Sequence, residues 1–152
     1  MPERMPEGNI ISHYYHQNKM KTPIELLNAY LENVQDAALA AALFAEDGAL
    51  ELPYLATLGF QPRAEGPEEI RKFLENVLSI FADFKFHSVK VFMETADQVF
   101  GEYEVTTTVV STGKDIHQLY MGRLVAENGK IKLLREALDT AATAKAFSET
   151  DI

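Results

Sequence analysis

The pattern of apolar and polar residues is clearest near the C-terminus, where residues 120–139 read YMGRLVAENGKIKLLREALD. Two alternating segments flank Asn128-Gly129, a dipeptide that favours the positive-φ positions of a type I′ turn. The pattern therefore predicts a β-hairpin. If Glu127 pairs with Lys130, side-chain alternation places a mixed set of residues on one face: His117, Leu119, Met121, Arg123, Leu134, Glu136 and Leu138. A bulge in either strand would exchange the two faces.

Earlier in the chain, apolar residues recur at the helical period and predict three helices. The first opens at Thr22-Pro23, a suitable N-cap and first residue, and its apolar stripe comprises Leu26, Leu27, Tyr30, Leu31 and Val34. A second, alanine-rich helix is predicted from about residue 36 to 45, and the alternating segment ALELPY at 49–54 then predicts a short strand that ends before Pro53. The third begins at Gly66-Pro67, where two glutamates follow and favour the positive end of the helix dipole.

After Asp83 the period changes to two and stays there, which predicts four consecutive β-strands. The strands cover residues 84–95, 99–111, 115–127 and 130–139, and residues 140–147 form a final helical turn. This order is typical of an α+β domain. We expect three N-terminal helices packed on one face of a curved, mainly antiparallel sheet. Residues 22–152 are predicted to form one domain, and residues 1–21 a flexible arm or a segment that docks on a partner.

Composition limits the classes of function. The chain has 152 residues, a formal net charge of −9 and no cysteine, which excludes disulfides, thiol nucleophiles and thiolate metal sites. The acidic charge and the lack of a basic patch argue against nucleic acid as a partner. No apolar run approaches the ~18 residues of a membrane span, and the polar N-terminus does not resemble a signal peptide. These features favour a cytoplasmic protein that binds small molecules or further copies of itself.

The sequence contains one weak candidate for a metal site. His13 and His16 have a spacing that one face of a helix could use to bind a metal, but no neighbouring acid or cysteine completes a ligand set. Phosphate-loop, dinucleotide and nucleophile motifs are absent from the sequence. We therefore expect neither a metal site nor a cofactor.

Five segments, in this order of elements, resemble the nuclear transport factor two-like superfamily, which includes ketosteroid isomerases and SnoaL-like polyketide cyclases. They are LFAEDGALE at 43–51, GPEEIRKFL at 66–74, FGEYEV at 100–105, TGKDIHQLY at 112–120 and GKIKLLREALD at 129–139. The resemblance implies a cone-shaped fold whose helices and concave sheet face enclose a pocket for a small apolar organic ligand.

A homodimer is expected as well. The resemblance implies pairing through the sheet, and the second face of the predicted hairpin is too apolar to be solvated comfortably. That face carries Tyr120, Leu124, Leu133 and Ala137.

The C-terminal motif GKIKLLRE is most similar to SnoaL-like cyclases and to phenazine-biosynthesis A/B proteins, in which an acidic residue follows the arginine of the last strand. Glu136 occupies that place here. Phenazine-type proteins also use a histidine on the third helix, where this chain has Phe73. Ketosteroid isomerases place a base aspartate before a proline, where this chain has Leu52 before Pro53. Tyr30 matches their first-helix tyrosine, which donates to an oxyanion.

Three residues are candidates for catalysis. Among large apolar neighbours, the carboxyl of Glu136 would be desolvated and its pKa raised, which suits a general acid or base near neutral pH. The alternative for Glu136 is an ion pair with Arg123 across the hairpin. His117 shares the predicted face and exchanges protons near pH 7. Tyr30 is the third candidate, as a hydroxyl that orients the substrate.

Six further residues are predicted to contact the ligand: Tyr54, Phe73, Glu102, Tyr120, Met121 and Arg123. If a bulge reverses strand 115–127, Tyr120 and Gln118 replace Met121 and His117 in the pocket. The functional hypothesis is a cofactor-independent cyclase or isomerase that uses carboxylate acid–base chemistry on an apolar organic substrate. The alternative is a non-catalytic small-molecule-binding protein.

Overall fold

The computed structural model describes residues 20–149. The helices and strands are α1 (Pro23–Asn33), α2 (Ala37–Ala41), β1 (Phe44–Glu51), β2 (Arg63–Glu65), α3 (Gly66–Ile80), β3 (Phe81–Ala82), β4 (Phe86–Glu94), β5 (Gln98–Val109), β6 (Asp115–Glu127), β7 (Lys130–Leu138) and α4 (Thr140–Phe147). A 3₁₀ helix (Pro53–Leu58) connects β1 to β2. Most of the predicted N-terminal arm, with His13 and His16, lies outside the described residues.

Three of the helices, α1, α2 and α4, begin at side-chain caps, which satisfy first-turn amides that have no partner within the helix. Thr22 and Glu25 form a capping box before α1, with the Glu25 amide 3.3 Å from the Thr22 hydroxyl. Asp36 accepts from the amide of Leu39 at 3.1 Å and starts α2. Asp139 accepts from the third amide of α4 in the same way. The last helix covers the predicted residues 140–147, but its eight residues form about two turns and not the single turn that was predicted.

The seven strands form one curled sheet in the order β2-β1-β7-β6-β5-β3, with β4 also paired to β5. All pairs are antiparallel except that of β1 with β7, which is parallel. The first three helices cover the concave, inner face. The predicted α+β architecture, with three N-terminal helices on a curved and mainly antiparallel sheet, is confirmed.

The second helix is shorter than predicted, and the first strand begins earlier. α2 ends at Ala41, and β1 starts at Phe44. The amide of Ile131, in β7, donates to the Leu43 carbonyl at 2.9 Å and joins the two strands. A side chain at Gly48 would overlap the Ile131 carbonyl oxygen, so this glycine permits the close approach. Pairing with a distant strand thus overrides the local helix propensity of the alanines.

The turn of the C-terminal hairpin is as predicted. Asn128 and Gly129 have φ angles of 52° and 74°, and Glu127 pairs with Lys130. Both central residues thus adopt the positive φ that a type I′ turn requires.

Beyond the turn, the register of the hairpin differs from the regular one. The pairing of β6 with β7 shifts by one residue after Ala126, because Lys132 is an extra residue in β7. Glu136 consequently lies opposite Gly122, and not opposite Met121 as the regular register predicts. The bulge moves the even-numbered residues of β6 to the inner face together with Glu136.

A continuous apolar core lies between the helices and the inner face of the sheet. Its fully buried side chains include Leu26, Leu27, Leu50, Ile70, Val99, Leu124, Ile131 and Leu134. Burial of these side chains supplies the main stabilising term of the fold. Within residues 20–149, no helix combines the length and the apolarity needed to cross a bilayer.

Candidate functional site

A cavity of about 420 Å³ opens between α1, α3, α4 and the inner face of β5, β6 and β7. Aromatic side chains form much of its wall: Tyr30, Phe60, Phe73, Phe81, Phe84, Phe86, Tyr120 and Phe147. Ligand sites in proteins typically combine such an apolar wall with a few placed polar groups. The volume suits a small organic molecule.

Glu136 is the acidic group in the interior of this cavity. Its side chain points inward from β7, and the residue is only 2% exposed. Burial disfavours the charged carboxylate and raises the pKa of Glu136 to about 7, although a hydrogen bond from Tyr103 acts in the opposite direction. A carboxyl with this pKa can both accept and donate a proton near neutral pH.

The predicted alternative for Glu136, an ion pair with Arg123, is wrong. Arg123 lies on the outer face of β6, where its Nε donates to Oε1 of Gln98 at 2.9 Å. Glu136 instead accepts a hydrogen bond from the hydroxyl of Tyr103, in β5. No described residue forms a salt bridge with Glu136.

Two further tyrosines line the cavity near Glu136. Burial is the largest cause of the raised pKa of both Tyr30 and Tyr120, and the nearby Glu136 charge raises both further. No described residue forms a hydrogen bond with either hydroxyl. Among residues 20–149, every side-chain nitrogen or oxygen that is completely shielded from solvent has a hydrogen-bond partner. The two unpartnered hydroxyls are therefore not completely shielded, and because both tyrosines line the cavity, they are available as donors to a ligand there.

A second polar group lies elsewhere in the cavity wall. Nε2 of Gln118 donates to the Asp139 carbonyl at 2.8 Å, and Oε1 accepts from the Thr143 hydroxyl at 2.7 Å. These bonds fix the buried Gln118 amide and tie α4 to β6. The Gln118 amide is thus a fixed polar group in the cavity wall, in addition to the tyrosine hydroxyls.

Charged and amide side chains occur among the lining residues of α3 and the loop before β2. They are Gln61, Glu69, Lys72 and Asn76, all exposed. Lys72 is the only basic residue among the described residues that line the cavity. Its Nζ is 3.9 Å from Glu68, whereas Arg71 binds the same carboxylate at 2.7 Å.

Four of the residues predicted from the sequence meet in this cavity: Tyr30, Phe73, Tyr120 and Glu136. They come from α1, α3, β6 and β7. The alternative in which a bulge brings Tyr120 and Gln118 to the pocket is the one that the structure adopts.

Three predicted residues of β6 are placed on the outer face, so their expected position in the pocket is wrong. His117 contacts Glu104 at 2.6 Å, and its hydrogen bond lowers the pKa of that carboxyl. Met121 is 41% exposed, and Arg123 bonds Gln98. The cause in each case is the bulge at Lys132, which reverses the phase of β6 relative to Glu136.

Two predicted contacts outside β6 are also absent from the cavity wall. Glu102 pairs with Met121 and shares its outer face, because Gly101 and Tyr103 take the inner positions of β5. Tyr54 is 56% exposed on the 3₁₀ helix and lies outside the cavity.

The sequence interpretation missed Tyr103, which carries the direct bond to Glu136. The sequence does contain a signal for this position. Side chains alternate between the two faces of β5, and the glutamates at 102 and 104 favour the face exposed to solvent. That alternation puts Tyr103 on the inner face, but only the fold shows which residue it meets.

No cluster of histidine, aspartate and glutamate side chains within residues 20–149 has the geometry of a metal site.

The curled sheet, the covering helices and the enclosed cavity define the class of cone-shaped α+β pocket proteins. Residues 25–134 match the SnoaL-like domain, and the chain belongs to this family. The predicted resemblance is thereby confirmed. Among curated proteins, none matches the chain in sequence.

Solved structures show the same fold at low sequence identity. A provisionally assigned isomerase from Bacillus subtilis has a TM-score of 0.74 and 21% identity, over 85% of this chain and 94% of that one. A phenazine biosynthesis-related protein from Pseudomonas aeruginosa has a TM-score of 0.72 and 19% identity, over 95% and 94%. TerC, co-crystallised with polyporic acid, has a TM-score of 0.70 and 18% identity, over 82% and 96%.

Proposed function

We propose that this protein is an acid–base enzyme of the cyclase or isomerase type that acts without a cofactor on an apolar organic molecule. The observation that carries the proposal is the carboxyl of Glu136, buried in an aromatic cavity without a salt-bridge partner among the described residues. Such a carboxyl is costly to the fold, since burial disfavours its charged form. Groups whose pKa is shifted in this way are concentrated at active sites.

The proposed step begins with ionised Glu136, which removes a proton from a carbon next to a ketone. The electron pair of the broken C–H bond moves into the carbonyl, and the enolate oxygen accepts hydrogen bonds from Tyr30 and Tyr120. In an isomerase, the substrate carries a C=C bond next to the deprotonated carbon, so a dienolate forms. Glu136 returns the proton to the far carbon of this dienolate, the C=C bond moves into conjugation with the carbonyl, and the ketone is restored. In a cyclase, the enolate carbon attacks a second carbonyl of the substrate, and the proton goes to the new alkoxide.

The cavity wall indicates the class of substrate. Its aromatic side chains favour an apolar ring system, and the hydroxyls of Tyr30 and Tyr120 suit an oxygen acceptor. The relative TerC was crystallised with polyporic acid, which supports the binding of a small organic molecule by this fold.

Deuterium exchange tests the proposal without knowledge of the natural substrate. We would incubate 1-tetralone, an apolar bicyclic ketone, with the protein in D₂O and measure deuterium at the carbon next to the carbonyl by mass spectrometry. The wild type should accelerate exchange over buffer. Glu136→Gln should lower this rate at least about a hundredfold, whereas Glu127→Gln, an exposed carboxyl in the same hairpin, should not.

Calorimetric titration of 1-tetralone supplies the control for binding. If the ketone binds and the wild type exchanges it no faster than buffer, the enzyme proposal fails. The chain would then be a non-catalytic small-molecule-binding protein, which is the alternative reading of the same cavity.

We further propose that the protein is a homodimer that pairs through the outer face of the sheet. Leu119 and Met121 are 40% and 41% exposed there, which is unfavourable in a monomer. Of the residues that first suggested this contact, Leu133 and Ala137 are consistent with it, whereas Tyr120 and Leu124 point inward and are buried. A cytoplasmic location, a single domain over residues 22–152 and a flexible arm before it stay predictions.

A further inference from the structure

The side chain of Tyr103 spans one strand to reach Glu136. Tyr103 lies on β5, Glu136 lies on β7, and β6 runs between them. Strands two positions apart in a sheet are separated by roughly 10 Å, so the phenol must lie across the inner face of β6. Its hydroxyl then donates to Oε2 of Glu136.

Gly122 leaves the space for this crossing. It is the residue of β6 that lies opposite Glu136, and its inner face is covered by the tip of the Tyr103 ring. A Cβ atom at position 122 would be 2.9 Å from Cζ of Tyr103 and would overlap the hydroxyl. Any other residue at this position would therefore force the phenol away from Glu136.

Packing fixes the ring of Tyr103 in this direction. The ring stacks on Tyr120 with centroids 5.8 Å apart and planes at 17°. Phe86 contacts it edge-on at 5.1 Å and 86°. Tyr103 is 0% exposed and is not part of the cavity wall. It is thus in no position to touch a ligand, unlike Tyr30 and Tyr120.

We propose that Tyr103 is a positioning residue, for which Gly122 makes room, and that it holds Oε2 of Glu136 so that Oε1 is the oxygen that exchanges protons with the substrate. This inference rests on the proposed acid–base function of Glu136. It adds which oxygen reacts and why β6 has a glycine at its centre.

The direction of the hydrogen bond supports the assignment. Burial and the neighbouring Glu136 charge raise the pKa of Tyr103 well above its ordinary value, so the phenol stays protonated wherever Glu136 titrates. Its proton is therefore available to Oε2 in both ionisation states of Glu136. With Oε2 accepting this hydrogen bond, the proton that Glu136 gains or loses resides on Oε1, for which the described residues offer no partner. A carboxyl held in one orientation avoids the entropic cost of fixing it during the reaction.

The test measures the ionisation of Glu136 directly. Protein labelled with ¹³C at the glutamate carboxyl is titrated by NMR, and the Glu136 signal is identified by its absence from Glu136→Gln. The wild-type midpoint is expected near 7. Tyr103→Phe removes the donor to the carboxylate and should raise the midpoint by about one pH unit. Gly122→Ala keeps every functional group, displaces the hydroxyl and should raise it in the same direction.

Tyr120→Phe is the matched control, because it removes a neighbouring hydroxyl that is not bonded to Glu136; its midpoint should stay close to that of the wild type. The pH at which 1-tetralone exchange reaches half its maximum should follow the NMR midpoint in Tyr103→Phe. An unchanged midpoint in Tyr103→Phe overturns the positioning role, whether or not Gly122→Ala folds. A wild-type midpoint near 4.5 instead contradicts the proposed acid–base function, and the response of Tyr103→Phe still decides the role of Tyr103.

Discussion

Arg123 and Glu136 lie on opposite faces of the hairpin formed by β6 and β7, although a regular register would bring them to the same face. Arg123 bonds Gln98 on the outer side, and Glu136 accepts from Tyr103 on the inner side. The separation leaves the buried carboxyl without a counter-ion among residues 20–149 and determines how the free energy of unfolding should depend on pH.

Glu136→Gln should stabilise the protein at pH 8 and have little effect at pH 4. Because the folded pKa is raised, the folded state holds a proton that the unfolded state releases as pH increases above about 4.5. The free energy of unfolding therefore falls between pH 4.5 and 7 and is constant above. A rise from 4.5 to about 7 corresponds to at most about 3 kcal/mol at pH 8.

Urea unfolding of the wild type and Glu136→Gln at pH 4, 6 and 8 checks this prediction, with Glu127→Gln as the control for loss of an exposed carboxyl. A variant that is less stable than the wild type at pH 8, with the difference vanishing in acid, would mean that the carboxylate is stabilised in the fold.

Tyr30→Phe should lower the rate of 1-tetralone exchange by about a hundredfold while changing stability by less than about 1 kcal/mol. The Tyr30 hydroxyl has no partner among the described residues, so its removal breaks no hydrogen bond within that part of the chain. Its proposed contribution arises only when an enolate oxygen forms. Thermal melts and exchange rates measured on the same samples separate the two effects. A large loss of stability with an unaltered rate would assign the hydroxyl to the core.

Lys72→Gln should weaken the binding of an anionic probe but not of its neutral analogue. Lys72 is the only basic residue among the described cavity-lining residues, and its contact with Glu68 is long. The probes are 1-anilinonaphthalene-8-sulfonate and N-phenyl-1-naphthylamine, which differ by the sulfonate alone. Fluorescence titration should show a two- to fivefold loss of affinity, roughly the value of an exposed ion pair, for the sulfonate only.

Lys90→Gln removes an equal charge from β4, outside the cavity wall. It is the control for a change in the net charge of the protein and should leave the affinity for both probes nearly unchanged. Equal losses for both probes in Lys72→Gln would indicate a change in the shape of the cavity rather than a lost charge contact.

Met121→Glu should convert the proposed dimer to a monomer. Met121 is exposed on the outer face of β6, where a charge would be desolvated on association. Sedimentation velocity at micromolar concentration should give twice the mass of one chain for the wild type and the mass of one chain for the variant. Leu39→Glu, at an exposed apolar position of α2, should stay dimeric. A monomeric wild type would refute the dimer.

The fold was largely predictable because its signals are local. Caps at Thr22 and Asp36 and the Asn128-Gly129 turn determine where elements begin and end, and each depends on nearby residues. The limits of α2 and β1 were not predictable in this way. Phe44 joins a strand because Ile131 is beside it, and that contact has no trace in the neighbouring sequence.

The sequence by itself determined that a glutamate in the last strand lies among apolar residues, and hence that its ionisation is the central chemical question. Only the tertiary structure decided which side chains surround it. One extra residue, Lys132, exchanges the faces of a hairpin because side chains alternate with a period of two. The sequence contains one sign of this bulge. Lys132 and Arg135 are three residues apart, so a regular strand would place them on opposite faces, yet neither of the two charged side chains is buried in the core. The contact of Tyr103 with Glu136 across Gly122 required the complete sheet, because it joins strands that are not neighbours.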